Sequence, residues 1–304
     1  MFYTSFAQKL PKSLIALIRE RDTAFKKLMS SYEKLKIESK RIKKLYKLLK
    51  SQAQDLPAEL PNKKLPDSLD LINKKALEYD LEKGRIVIGS ILSASQEELA
   101  NRDFLLDKIK TYGCAYQGWE LYSPYQEYLN ASDYGPLQIP TELADFLIYV
   151  IQKKPASFLE IGVMYGGFSV LCCAVLSKFN TNFKYTCLDI EDNFRDWEYF
   201  SSILPLEKAI PATSADFIGK KFDVVYIDAD HSYHGMKRDF LNVGRYAKVC
   251  AFHDINASEY DHLDGGTRRC WNELKLSYCQ SASILEISHI AEEWMGIGII
   301  DFNK

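Results

Sequence analysis

The stretch Phe158-Leu-Glu-Ile-Gly-Val-Met-Tyr-Gly-Gly-Phe-Ser169 decides the fold. A short apolar run containing an acid turns through glycines and continues into an apolar segment of helical length, residues 170–178. Glycines at such a turn remove the Cβ atoms that would keep a nucleotide-like ligand away from the backbone. A dinucleotide enzyme would carry Gly-x-Gly-x-x-Gly, whereas the spacing here is Glu160-x-Gly162-x-x-x-Gly166-Gly167. The same residues also suit a plain glycine-softened turn in any α/β protein, so the flanking sequence has to separate the two readings.

Downstream, strand-like and helix-like segments alternate. After Pro140, Thr141 is positioned to cap a helix reaching about residue 152, and strand 157–162 follows. Strand 183–190, a short strand near Ala209, strand 222–228, helix 235–246, strand 247–253 and helix 267–278 continue the pattern. Strands 283–288 and 294–302 have no helix between them and should pair as a hairpin. Alternating βα units imply a parallel sheet with helices on both faces. The expected fold class is therefore α/β, a doubly wound, mostly parallel seven-stranded sheet with an N-terminal helical extension.

Upstream, the composition changes. The first fifty residues hold 14 Lys and Arg against 4 Asp and Glu, a charge of +10, which leaves −12 for the remainder of a chain whose net charge is −2. Between Ile18 and Leu49 an apolar residue recurs in steps of three and four: Phe25, Leu28, Tyr32, Leu35, then Ile42, Tyr46 and Leu49, with Ser39 interrupting. This heptad pattern predicts a long amphipathic helix that buries its stripe in a coiled coil, giving a homo-oligomer, or against the body. Its basic face is either solvated or in peripheral contact with an anionic membrane; nucleic acid is not an expected partner. Pro57, Pro61 and Pro66 mark a boundary. Residues 69–110 read as two or three helices, one starting at Ser93-x-Ser95-x-x-Glu98. The segment 112–134 carries seven aromatics that either fold over a site or pack between domains. The expected organisation is 1–56 amphipathic helix, 57–135 helical linker and cap, and 136–304 catalytic domain.

The overall composition excludes several classes. At 47% hydrophobic, the chain can bury a core and is not a disordered protein. No run approaches the roughly 20 apolar residues of a membrane span, and the N-terminus lacks the apolar run of a secretory signal. Seven cysteines lie scattered without Cys-x-x-Cys pairs, which fits a reduced, cytoplasmic protein.

In open α/β sheets ligands bind at the carboxyl ends of the strands, and four of those ends carry polar groups here. Strand 183–190 ends at Asp189, followed by Ile190-Glu-Asp192. Asp189 either accepts hydrogen bonds from a ligand's paired hydroxyls or caps the turn. Strand 222–228 opens into Asp228-Ala-Asp230-His231-Ser-Tyr233, and strand 247–253 into His253-Asp254-Ile-Asn256. Ionisable groups are costly at the end of a buried strand. Asp228 and Asp254 are separated by 26 positions, one βαβ unit, which sets them at the same edge of neighbouring strands. Two converging carboxylates repel unless a cation or a proton lies between them. Hard oxygen ligands of this kind suit Mg²⁺, Mn²⁺ or Ca²⁺, and helix caps or amino-acid-binding groups without a metal are the other reading.

Together these motifs resemble the class I S-adenosylmethionine (SAM)-dependent methyltransferases. The resemblance spans about residues 137–302 and is nearest to the metal-assisted catechol-type and sugar O-methyltransferases and the cephalosporin hydroxylase-like group. It rests on Glu160-Ile-Gly-Val163, Leu188-Asp-Ile190, Ile227-Asp-Ala-Asp-His-Ser-Tyr233 and Phe252-His-Asp254. It implies that Glu160, Gly162, Tyr165, Gly166 and Ser169 cradle SAM, that Asp189 and Ile190 meet its ribose, and that Ser214 lies near adenine. Asp228 then borders SAM and, with Asp254, ligates a metal such as Mg²⁺. His231 stands where those enzymes carry lysine and becomes the general base, beside a purely structural role. The family's Asn after the second aspartate is Ile255 here, so either His253 or Asn256 supplies a third ligand or the metal is absent. Arg268, Arg269 and Trp271 either contact an acceptor or pack their helix. The implied activity is O-methylation of a small-molecule, sugar or glycan hydroxyl, with a SAM-binding, non-catalytic scaffold as the alternative.

Overall fold

Apolar runs of four or five residues, bounded by glycine or polar turns, set a seven-stranded sheet. Its strands are β1 (Ser157–Ile161), β2 (Lys184–Leu188), β3 (Leu206–Ala209), β4 (Val224–Ile227), β5 (Val249–His253), β6 (Ser283–Ile287) and β7 (Ile297–Asp301). They lie in the order β3-β2-β1-β4-β5-β7-β6. The first five pair in parallel, and β7 runs antiparallel to both β5 and β6. The expected parallel sheet closed by a hairpin is thus present. This computed structural model describes residues 67–115, 131–132, 134–289 and 294–303. The predicted heptad helix, the proline-marked boundary and the aromatics at 116–128 lie outside those residues.

Helices α1 (Asp67–Ser93), α2 (Gln96–Leu99), α3 (Arg102–Tyr112), α4 (Pro140–Lys153), α5 (Gly167–Ser177), α6 (Trp197–Ile203), α7 (Tyr233–Asn242) and α8 (Gly266–Tyr278) complete the unit, which begins at Ser68. Strand alternation sends Phe158, Tyr185 and Tyr226 into one layer with α3, α4 and α5. Leu159, Ile227 and Phe252 face the other layer, filled by Met236 and Phe240 of α7 and Trp271 of α8. The α1–α3 helices share the first core through Ile88, Leu105 and Ile109. Tyr112 and Tyr134, from the aromatic stretch, are buried there at 5.8 Å in an edge-to-face pair. Arg85 of α1 donates to both carboxylate oxygens of Asp196, at 2.8 and 2.9 Å, tying the helical layer to the connection after β2.

Ser95 caps α2 with a full capping box through Glu98, as its spacing predicted. Thr141 does not cap α4. Pro140 takes the first helical position, the cap residue is Ile139, and no side chain closes that end. α5 starts at Gly167, three residues before the apolar run suggested, because the glycine turn is itself the helix entrance. The short helix α6 was not expected, and α7 ends at Asn242, where a separate 3₁₀ turn over Gly244–Tyr246 takes over.

Candidate active site

Register brings the chemistry together. Ile161 of β1 sits opposite Leu188 and Ile227, and Ile227 sits opposite Phe252. The residues that leave the sheet at this edge are therefore Gly162, Asp189, Asp228 and, one step beyond His253, Asp254. The Asp228 amide donates to the Ile161 carbonyl and the Gly162 amide to that of Leu188, each at 2.9 Å. Gly162 has φ +94°, and a Cβ there would lie 2.0 Å from the Asp228 carbonyl oxygen. Only glycine lets the two strand ends approach this closely. Gly166, at φ +84°, lies against the Phe194 ring in the same way.

Two cavities open on this edge. A cleft of about 720 Å³ runs past Leu188, Asp189, Ile190, Thr213 and Ser214. A pit of about 120 Å³ lies among Gln138, Tyr165, Phe168, His253, Tyr260 and Met295. Gly162, Met164, Asp228 and His231 line both. The ionisable cluster thus stands where cleft meets pit, the position from which a group bound in one would be passed to a group bound in the other.

Within that cluster the His231 Nε2 lies 2.9 Å from the Asp254 carboxylate and 3.4 Å from that of Asp228. The His231 ring stacks on Tyr260 at 4.2 Å. His253 Nδ1 is 3.3 Å from Asp228 and 3.4 Å from Asp254. Gln138 donates its amide to Asp228 at 3.1 Å and accepts from the Tyr226 hydroxyl at 3.2 Å. Burial opposes charge on both histidines, yet the two carboxylates outweigh it, raising His231 to about 10 and His253 to about 9. Burial works to raise Asp228 as well, but its histidine partners hold it well below the usual carboxylate range. Asp254 adopts a left-handed φ of +59°, and its carbonyl accepts from Thr267 at 2.6 Å.

Asp228, His231 and Asp254 offer one ligand atom each, all within 4.8 Å of one another. Two carboxylates and an imidazole suit a hard divalent ion, so the donor set fits the implied metal. His253 presents Nδ1 to the same carboxylates, whereas Asn256 turns away to donate to Ser288 at 2.9 Å. Ile255 is buried.

The remaining site residues fall into distinct roles. Glu160 is buried and accepts from the Ser169 hydroxyl and, at 2.9 Å, from Tyr185. Burial pushes it up to about 8 despite those bonds. Tyr165 lines the pit, with the Arg195 guanidinium 3.6 Å above its ring. Asp189 borders the cleft, where its carboxylate accepts from the amides of Val163 and Met164 on one oxygen and Ile190 and Glu191 on the other. It therefore holds the glycine turn in shape. Ile190 is exposed along the cleft wall. The Ser214 hydroxyl is buried, donating to Asp239 at 2.6 Å and accepting from Asn242 at 3.0 Å. Arg268 and Arg269 pair with Asp261 and Asp264 on α8's own side of the fold. Trp271 packs in the core and donates to Glu286 at 2.5 Å.

Residues 159–255 match the family model described as a methyltransferase domain. Over that stretch, about a third of its length, the chain is similar to a methyltransferase domain. No curated protein matches the sequence. Among solved structures, cofactor-bound Rv0187 from MTB is 15% identical, covering 52% of this chain and 78% of its own at a TM-score of 0.40. The O-methyltransferase from Bacillus cereus in complex with SAH is 14% identical, covering 53% and 81%, with a TM-score of 0.40. The O-methyltransferase TomG from Streptomyces achromogenes, in complex with SAM, is 14% identical, covering 64% and 88%, with a TM-score of 0.41.

Several residues at or beside the pit escaped the sequence reading. Gln138 comes from the segment leading into α4, Tyr260 from a turn after β5, and Met295 from the entrance to β7, while Glu142, in the first turn of α4, lies behind the pit and bonds the amide next to Met295. None sits at the end of a parallel strand, so no local pattern marks them. Only packing of α4 and β7 against the sheet brings them to Asp228 and Asp254.

Proposed function

We propose that this domain transfers a methyl group from SAM to a hydroxyl oxygen of a small-molecule, sugar or glycan acceptor. The observation that carries this reading is the shared wall: a cleft with room for a nucleoside meets a small pit, apolar apart from its ionisable cluster, at Asp228, His231 and Met164. SAM supplies a methyl group already electrophilic on its sulfonium, which leaves alignment and deprotonation to the protein. Asp189 fixes the turn that floors the cleft, Ile190 offers an apolar wall, and the pit admits the acceptor hydroxyl next to the acids. Holding the two reactants in line supplies much of the acceleration.

His231, standing where cleft meets pit, would take the hydroxyl proton, but two carboxylates hold it protonated near neutral pH. A divalent ion on Asp228 and Asp254 would withdraw that stabilisation and also acidify the hydroxyl. In this reading Asp228 and Asp254 would hold the metal, and His231, although within ligand reach of the same point, would stay unbound to serve as the base. The test is release of S-adenosylhomocysteine (SAH) from SAM in a screen of sugar and phenolic hydroxyl acceptors with Mg²⁺, Mn²⁺ or EDTA. Turnover with Mg²⁺ that EDTA lowers by roughly 10² or more is expected. Undiminished turnover in EDTA removes the metal from the reading, and SAM binding without turnover of any acceptor favours a scaffold.

A further inference from the structure

Met295, just before β7, lines the pit, and one buried carboxylate accepts from an amide on either side of it in sequence, one shortly after β6 and one at the entrance to β7. Glu142 of α4 is 1% exposed and accepts from the His289 amide at 2.8 Å and the Gly296 amide at 3.2 Å, one on each oxygen. Between those amides lies Met295, buried, with a left-handed φ of +47°, and it lines the pit together with His253 and Asp254. The carbonyl of Met295 accepts from the Asn256 amide at 2.9 Å, and that of Gly296 accepts from Ile255 at 3.4 Å. The entrance to β7 is therefore joined to the segment that follows Asp254 from one side and to Glu142 from the other. A buried acid on an apolar helix face is expensive, and here its two oxygens are spent on two backbone amides 7 residues apart.

We propose that Glu142 is a positioning residue for the pit: it clamps both ends of the β6–β7 connection and so sets Met295 into the wall that an acceptor must meet. The clamp stands on hydrogen-bond geometry alone, whereas its consequence for acceptor fit rests on reading the pit as the acceptor site. Gln at 142 keeps one carbonyl oxygen but turns an NH₂ group toward the second amide, so it should free one end. Ala should free both.

Amide exchange at His289 and Gly296, resolved to single residues, reads the clamp directly on the full chain. In Glu142→Gln one of the two amides should exchange about tenfold faster, and in Glu142→Ala both should. Met295 should oxidise several-fold faster with hydrogen peroxide in both variants, followed by peptide mass spectrometry. General loosening would instead speed exchange across β1 and β4 as well. SAH affinity, measured on the same samples, should stay at the wild-type value, because the cleft does not include Glu142. Wild-type exchange at both amides in Glu142→Gln, or unchanged Met295 oxidation, overturns the proposal. Failure of the wild-type protein itself to bind SAH overturns the functional reading and leaves the clamp to be judged by exchange.

Discussion

At His231, two neighbouring carboxylates decide the charge of a side chain assigned to move a proton. Its folded value lies above the ordinary histidine range, so stability from the ion pairs is complete below about 6.5 and is lost as pH rises through about 10. Imidazole NMR should show His231 still protonated at pH 8 in the ion-free protein. Replacing Asp254 with Asn, or adding Mg²⁺, should bring that titration down by a unit or more. A titration near 6.5 in the unmodified ion-free protein would contradict the bridging geometry. Glu160 carries the same sign of shift for a different reason, since burial first, and then the nearby Asp228 and Asp189 carboxylates, hold its proton. The folded state binds that proton more tightly than the unfolded chain does. Its contribution is therefore complete below about 4.5 and falls away as pH climbs toward 8. Glu160→Gln should flatten unfolding stability measured in urea between pH 5 and 8, and an unchanged slope would place the charge elsewhere.

At the scale of elements, the turn after β1 depends on glycine for a contact inside the protein. Gly162→Ala forces a Cβ into the Asp228 carbonyl and strains a positive φ, so about 2 kcal/mol or more of stability should be lost. SAH binding should fall with it, because β1 and β4 could no longer end side by side. Wild-type stability in this variant would show that the two strand ends separate freely. The strands themselves were readable because apolar runs stop abruptly at Asp189, Asp228 and Asp254, where the sheet ends and water or ligand begins. The hairpin was readable because no helical stretch separates β6 from β7. Other features left no local trace. α6 is seven residues long, follows Asp196 at φ +58°, and has no side-chain cap to announce it. Thr141 looked like a cap, but Pro140 had already fixed the first turn of α4.

Across the whole molecule, two layers of helices press a sheet whose carboxyl edge holds every group assigned to the reaction. Sequence alone located that edge, since register aligns residues at strand ends. It gave no sign of how deeply Asp189 and Ser214 would be drawn into the protein's own hydrogen bonds, because those partners, Val163 and Asp239 among them, become neighbours only when turns and α7 fold against the sheet. The pit likewise depends on the segments leading into α4 and β7, one before and one after the strands that carry the acids. The central claim is that the cleft beside Asp189 takes an adenosyl sulfonium cofactor while the pit takes the acceptor. Isothermal calorimetry with SAH tests it most directly. One molecule bound per chain in the micromolar range, lost in Gly162→Ala, is the predicted result; no heat with SAH or SAM on folded protein would contradict it.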